Sequence, residues 1–159
     1  VTFLDFGCVK RFDPAVYDKL ESMTLAAIDQ DAERMLRIAL ENEFVPRNSP
    51  PDAEALLAFY SLAVQDLIGP QPFTYTPELV AETLRGGMAR NSPHLRVLRK
   101  MRGDAGYVCL TRTQTGLTSV LGGLHATGPW RAIREEYSHG GPPATAYGEA
   151  EAEFRGVAR

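Results

Sequence analysis

Asp5-Phe6-Gly7, near the start of the chain, is the run whose residue types and spacing most readily suggest chemistry. Phosphoryl transfer from ATP needs a carboxylate fixed on rigid backbone, where it can hold Mg²⁺ against phosphate oxygens. The preceding Val1-Thr2-Phe3-Leu4 is apolar and β-branched at two positions, as a strand ending at Asp5 would be. A strand end supplies rigidity, Phe6 anchors the turn by packing, and Gly7 lets the chain swing away. Asp5 is therefore the candidate metal ligand, and Asp5, Phe6 and Gly7 are the candidate cofactor-binding residues. Val1 reads as part of a strand already under way, so further chain is expected upstream.

Other side chains offer less. Lys10 and Arg11 suit phosphate or an acidic segment, but read first as a solvated loop. Arg112 and Gln114 lie among apolar residues at helical spacing and are expected to bond an interhelical carbonyl or carboxylate rather than to catalyse. His94, His125 and His139 have no cysteine or carboxylate at metal-ligand spacing. Trp130, after Pro129, reads as a packing anchor. Cys8 and Cys109 are the only cysteines, too far apart in sequence to suggest a disulfide framework, and are expected to be small buried hydrophobes in a reducing cytosol. No Gly-x-Ser-x-Gly elbow, Cys-His pair or Gly-x-x-x-x-Gly-Lys phosphate loop is present.

The elements that must position these groups are mostly helices. Asp13-Pro14 starts a helix reaching about residue 29, Asp13 capping and Pro14 fitting the first turn. Asp31 caps a second helix over about 32–42. Asp52 caps a third, whose Leu56, Phe59, Tyr60, Ala63, Val64, Leu67 and Ile68 keep helical spacing as far as Gly69-Pro70. Residues 71–75 read as a loop. Thr76-Pro77 opens a helix expected to stop at Gly86-Gly87, and Ser92-Pro93 opens another to about residue 101. Residues 107–125 form the longest helical stretch, where Gly116, Gly122 and Gly123 suggest close packing against another helix. Pro129 starts a last helix over about 130–137. Residues 1–138 thus form one unit, 1–12 being the strand and its exit and 13–138 the helices. Residues 139–159 read as a linker and a disordered or loosely helical tail.

Two stretches carry a family resemblance. Val1-Thr2-Phe3-Leu4-Asp5-Phe6-Gly7-Cys8-Val9-Lys10-Arg11-Phe12-Asp13-Pro14 resembles the activation-segment start of the AarF/UbiB family of atypical kinases, although many members have Gly where Lys10 stands. Leu110-Thr111-Arg112-Thr113-Gln114-Thr115-Gly116-Leu117-Thr118-Ser119-Val120-Leu121 is similar to the family's late helix, and Leu124-His125-Ala126-Thr127 with Trp130-Arg131-Ala132-Ile133-Arg134-Glu135-Glu136 continues the likeness. The resemblance implies a mainly α fold, the helical C-lobe of a protein-kinase-like protein with a short N-terminal strand remnant. It implies ATP and Mg²⁺ as cofactors of the complete protein, with Asp5 as the Mg²⁺ ligand. The phosphate-contacting Lys and the catalytic-loop Asp and Asn would all precede Val1, so the piece is expected to be inactive alone. A role around isoprenoid quinone or lipid metabolism, near a membrane surface, follows by the same analogy. An aminoglycoside- or choline-kinase-like reading is disfavoured, because those families more often follow the Asp with Trp or an acidic residue. The alternative is a non-catalytic helical interaction module.

Composition bounds these readings. The 159 residues suffice for one domain, and 44% hydrophobic with 23% charged residues is ordinary for a globular protein. A net charge of −3 argues against nucleic acid as a partner. No signal peptide is visible and no apolar run approaches the roughly 20 residues of a membrane span, so a cytoplasmic protein, with membrane association as a further option, is the expectation.

Overall fold

A computed structural model describes residues 11–88, 92–102 and 106–156. The described chain is mainly helical: α1 (Pro14–Ile28), α2 (Ala32–Glu41), α3 (Ala53–Ser61), α4 (Gln65–Ile68), α5 (Pro77–Met88), α6 (Pro93–Leu98), α7 (Gly106–Gly123), α8 (Trp130–His139) and α9 (Ala146–Phe154). Two short strands, β1 (Phe73–Thr74) and β2 (Thr127–Gly128), pair antiparallel with Phe73 opposite Gly128 and Thr74 opposite Thr127. The strand expected at 1–4 lies outside the described residues.

Side-chain caps start most of these helices. Asp13 Oδ1 accepts from Ala15 N at 2.8 Å, Asp31 Oδ1 from Arg34 N at 2.9 Å and Asp52 Oδ1 from Ala55 N at 3.0 Å. Thr76 Oγ1 serves α5 and Ser92 Oγ serves α6 in the same way. Each cap satisfies an amide that the first helical turn leaves without a partner. The far ends are less expected. α1, α2 and α7 all end in Schellman-type bonding, with Gln30 (φ 54°), Glu43 (φ 58°) and His125 (φ 48°) in the left-handed position that glycine usually takes.

The core sits where α1, α2 and α3 meet. Met23, Met35, Leu56 and Val45 are fully enclosed there, with Ala26, Ala27, Ala39, Val97 of α6 and Leu67 of α4 around them. The Phe44 ring meets Tyr107 edge-on at 5.9 Å, tying the start of α7 to this core. α5 packs on α7, and α8 packs on α4.

The structure departs from the sequence reading at several places. The helix expected from Asp52 to Ile68 is two helices. At 62–64 the bonding tightens to i→i−3 (Ala63 N to Tyr60 O, Val64 N to Ser61 O), and the Ala63 carbonyl accepts instead from Gln114 Nε2 of α7 at 2.6 Å. α5 runs through Gly86 and Gly87 to Met88 rather than stopping before them, since glycine weakens a helix without forbidding it. β1 lies inside the expected loop at 71–75. Residues 146–154 form α9, with Thr145 capping it and Glu136 Oε2 of α8 accepting from Ala144 N at 2.9 Å.

Candidate functional site

Asp5, Phe6 and Gly7, together with Cys8 and Lys10, lie outside the described residues. What the described residues supply is the element immediately after them: α1 begins at Pro14, fixed by its Asp13 cap. Arg11 and Phe12, on the approach, are exposed. Among the described residues no group of three or more His, Cys, Asp or Glu stands where it could hold a metal ion.

The other sequence candidates resolve into structural roles. Gln114 bonds the carbonyl at the α3–α4 break, as an interhelical polar contact was expected to do, whereas Arg112 is exposed. Trp130 Nε1 donates to Phe73 O at 2.9 Å and its ring meets Tyr75 edge-on at 5.5 Å, so the indole anchors α8 to β1. His94 lies 6.4 Å from the Phe59 ring, and His125 is exposed in its left-handed turn. Cys109 is exposed on α7, which corrects the expectation that it is buried: its position falls on the side of α7 away from α5.

Two polar assemblies were not legible from sequence. At the α4–β1 corner the Tyr75 hydroxyl donates to the Asp66 carboxylate. Burial raises the Asp66 carboxyl above its ordinary range, against the lowering effect of that hydrogen bond. Burial first, and then the Asp66 charge and hydrogen bond, push the Tyr75 phenol well above its ordinary range. Gln71 Nε2 donates to Asp66 O at 2.7 Å and Arg131 Nε to Leu67 O at 2.6 Å, closing the corner around the pair. The second assembly joins α8 to α1. Arg134 Nη2 bonds Glu21 Oε2, and His139 Nε2 lies 2.9 Å from Glu21 Oε1, within ion-pair distance but without a hydrogen bond to it. Arg134 and Glu21 are only 14% and 16% exposed, so the pair is a desolvated tether rather than a surface ion pair. Nearby, burial raises the Tyr60 phenol, whose hydroxyl shares a hydrogen bond with Thr24.

No protein-family model matches this chain. Nor does any curated protein or solved structure.

Neither assembly pairs a nucleophile with a base facing open space. Both hold their polar atoms against neighbouring helices, as locks between elements do. An open cleft of about 470 Å³ runs along α2, floored by Leu36 and Leu40 and rimmed by Glu33, Arg37, Glu41 and Arg47. Its rim carries two acidic and two basic side chains, a mixed charge that selects no ligand of one sign. None of these groups had a local signal. Glu21 and Arg134 are 113 residues apart, and Asp66 reads in sequence as a polar position on an amphipathic helix.

Proposed function

We propose that this chain is the helical C-lobe of an AarF/UbiB-like atypical kinase or ATPase, in which Asp5 ligates the Mg²⁺ of Mg-ATP. The observation that carries the reading is Asp5-Phe6-Gly7 after an apolar stretch and just ahead of α1, whose capped start at Asp13-Pro14 fixes how soon the chain turns helical. The mainly helical fold and the likeness of residues 110–136 to the family's late segment support it. Asp5 would hold the metal, which when bound neutralises phosphate charge. Phe6 and Gly7 would place that carboxylate. The parent protein would act around isoprenoid quinone or lipid metabolism, in the cytoplasm or at a membrane surface. Among the described residues no helix is long and apolar enough to cross a membrane.

The test is Mg²⁺-dependent ATP binding by the complete protein, by calorimetry. Asp5→Ala is expected to weaken it at least about tenfold, while Asp18→Ala, on the exposed side of α1, leaves it unchanged. Equal affinity in wild type and Asp5→Ala overturns the proposal. The isolated chain is expected to show no ATP turnover, because one metal ligand cannot replace the groups that position the phosphates.

The alternative, a non-catalytic helical interaction module, is favoured by one observation: α7 carries Leu117 and Val120 more than half exposed, and Leu124 just past its end is exposed too. Unchanged nucleotide affinity in Asp5→Ala would move the assignment to that reading.

A further inference from the structure

Charge is unevenly spread along this chain. Six of its 17 Lys and Arg lie in residues 85–102, which contain none of its 20 Asp and Glu. The C-terminal part of that stretch is α6 and the turn after it, which carry Arg96, Arg99, Lys100 and Arg102. Arg96, Arg99 and Arg102 are exposed, and among the described residues none of the three has a carboxylate within 4.0 Å. Arginines elsewhere find one: Arg34 has Asp29, Arg134 has Glu21 and Arg155 has Glu151. Leu98, in the same stretch, stands 44% exposed. We propose that this basic surface docks an acidic segment of a partner protein, with carboxylates on the arginines and an apolar side chain on Leu98.

The backbone beneath these side chains is fixed. Val97, 2% exposed, turns into the core, and Ser92 Oγ caps α6 by accepting from His94 N at 3.1 Å. Arg102 N donates to Phe44 O at 2.7 Å and Lys100 Nζ to Pro50 O at 2.9 Å, tying the turn after α6 to the loop before α3. Docking therefore orders side chains and the partner, but not this backbone. Arg96 and Arg99 are three residues apart on the helix, about 5–6 Å between Cβ atoms, which matches carboxylates one turn apart on a partner helix. Cations also favour a helix C-terminus, so Arg96 and Arg99 serve α6 in part. That effect falls off within the last turn, and Arg102 lies beyond it.

Charge and chemistry together select the occupant. Arginine's planar fork meets a carboxylate or a phosphate with two parallel bonds. Nucleic acid supplies phosphates, but residues 92–102 contain no Phe, Tyr or Trp on which a base could stack, and a phosphate backbone leaves Leu98 uncovered. An anionic bilayer would cover Leu98, but a helix lying in a bilayer surface buries a whole apolar face. On the six-residue α6 only Leu98 is free for that, Leu95 being half-buried and Val97 buried. The rest of the chain also holds all 20 acidic residues, so an extended anionic surface is opposed where a short acidic segment is not. The inference stands apart from the assignment of Asp5, because it uses neither that motif nor a nucleotide.

Fluorescence anisotropy tests it, with the full 159-residue chain and a fluorescein-labelled peptide of repeating Glu-Glu-Leu as the probe. The wild type is expected to bind with a Kd on the order of 100 µM at low salt, and more weakly as salt screens the charges. Arg99→Glu should weaken binding more than tenfold. Arg99→Lys, which keeps the charge and loses the fork, should weaken it several-fold, as should Leu98→Ala. Arg112→Glu, at an exposed cation of α7, should leave the affinity unchanged. Circular dichroism of each variant checks that its helices are intact. No binding at about 1 mM peptide overturns the proposal, as does equal affinity in wild type and Arg99→Glu. An Arg99-dependent affinity that is higher for anionic phospholipid vesicles or single-stranded RNA than for the peptide would give the surface to that polyanion, and would overturn it too.

Discussion

The α1–α3 side of the molecule and α7 handle the same residue types in opposite ways. Met23, Met35 and Leu56 are at most 1% exposed, each enclosed by neighbouring helices. Leu117, Val120 and Leu124, no less apolar, stand more than half exposed. α7 meets α5 through a different side, where Gly122 lets Val80 and the Thr76 carbonyl approach. Helical spacing of apolar residues therefore marks a face without saying what covers it. In α1–α3 the covering helices are neighbours in sequence, α1 and α2 joined by a short turn and α2 and α3 by residues 42–52, whose Phe44 and Val45 enter the same core. In α7 the small and polar residues make the intramolecular contact, and the apolar side is left over.

The largest effect that separates the two sides is a truncation on each. Leu56→Ala is expected to lower unfolding free energy by about 2–5 kcal/mol, the cost of a cavity among enclosed side chains. Leu117→Ala should stay within about 0.5 kcal/mol, since it removes surface that water already reaches. Urea unfolding by circular dichroism measures both. A comparable loss at Leu117 would mean that α7 is covered within the monomer, and the contrast would disappear.

Next in size is a contrast inside α7 itself. A Cβ at Gly122 would lie 2.8 Å from Val80 Cγ2 and 3.2 Å from the Thr76 carbonyl oxygen, and the latter is backbone. Gly122→Ala should therefore prise α5 from α7 and cost about 1–2 kcal/mol. Gly116→Ala meets open space and gains helix propensity, up to about 1 kcal/mol of stability. Opposite signs in thermal unfolding would locate the packed and open sides of one helix. Equal signs would show that propensity alone governs α7.

Much of the helix layout was legible because its signals are local. Asp13, Asp31, Asp52, Thr76 and Ser92 each sit one residue ahead of a helical run, and the cap bond is a contact across two or three residues. The break at 62–64 was not legible, because the group that takes the Ala63 carbonyl is Gln114, 51 residues away. Gly116, Gly122 and Gly123 looked alike in sequence, and only Gly122 is packed against. The exposure of Cys109 depends on the side of α7 that meets α5, which no window around Cys109 contains. The tether from Glu21 to Arg134 spans still more chain. For Asp5-Phe6-Gly7 the situation is reversed, since the motif is a sequence signal and its residues lie outside those described.

The smallest effect tests the helix ends of the well-packed side. Glu43 closes α2 at φ 58°, where its Cβ crowds the backbone and glycine has no such atom. The bonds that need this conformation are made: Phe44 N reaches Ala39 O at 2.8 Å, which turns the chain so that Phe44 and Val45 enter the core. The Glu43 side chain is exposed, so removing it sacrifices no packing. Glu43→Gly is thus expected to stabilise the fold by about 0.5–1 kcal/mol, partly offset by the freedom glycine gives the unfolded chain. The same change at His125 should act in the same direction, but on α7, whose end leads into β2 rather than straight into the core. If the two gains match, the ends of the two regions are equivalent, and their difference lies wholly in what covers their apolar faces. A gain at Glu43 alone would mean that the turn after α2 is held in its strained form by the packing of Phe44 and Val45, and that the turn after α7 opens instead.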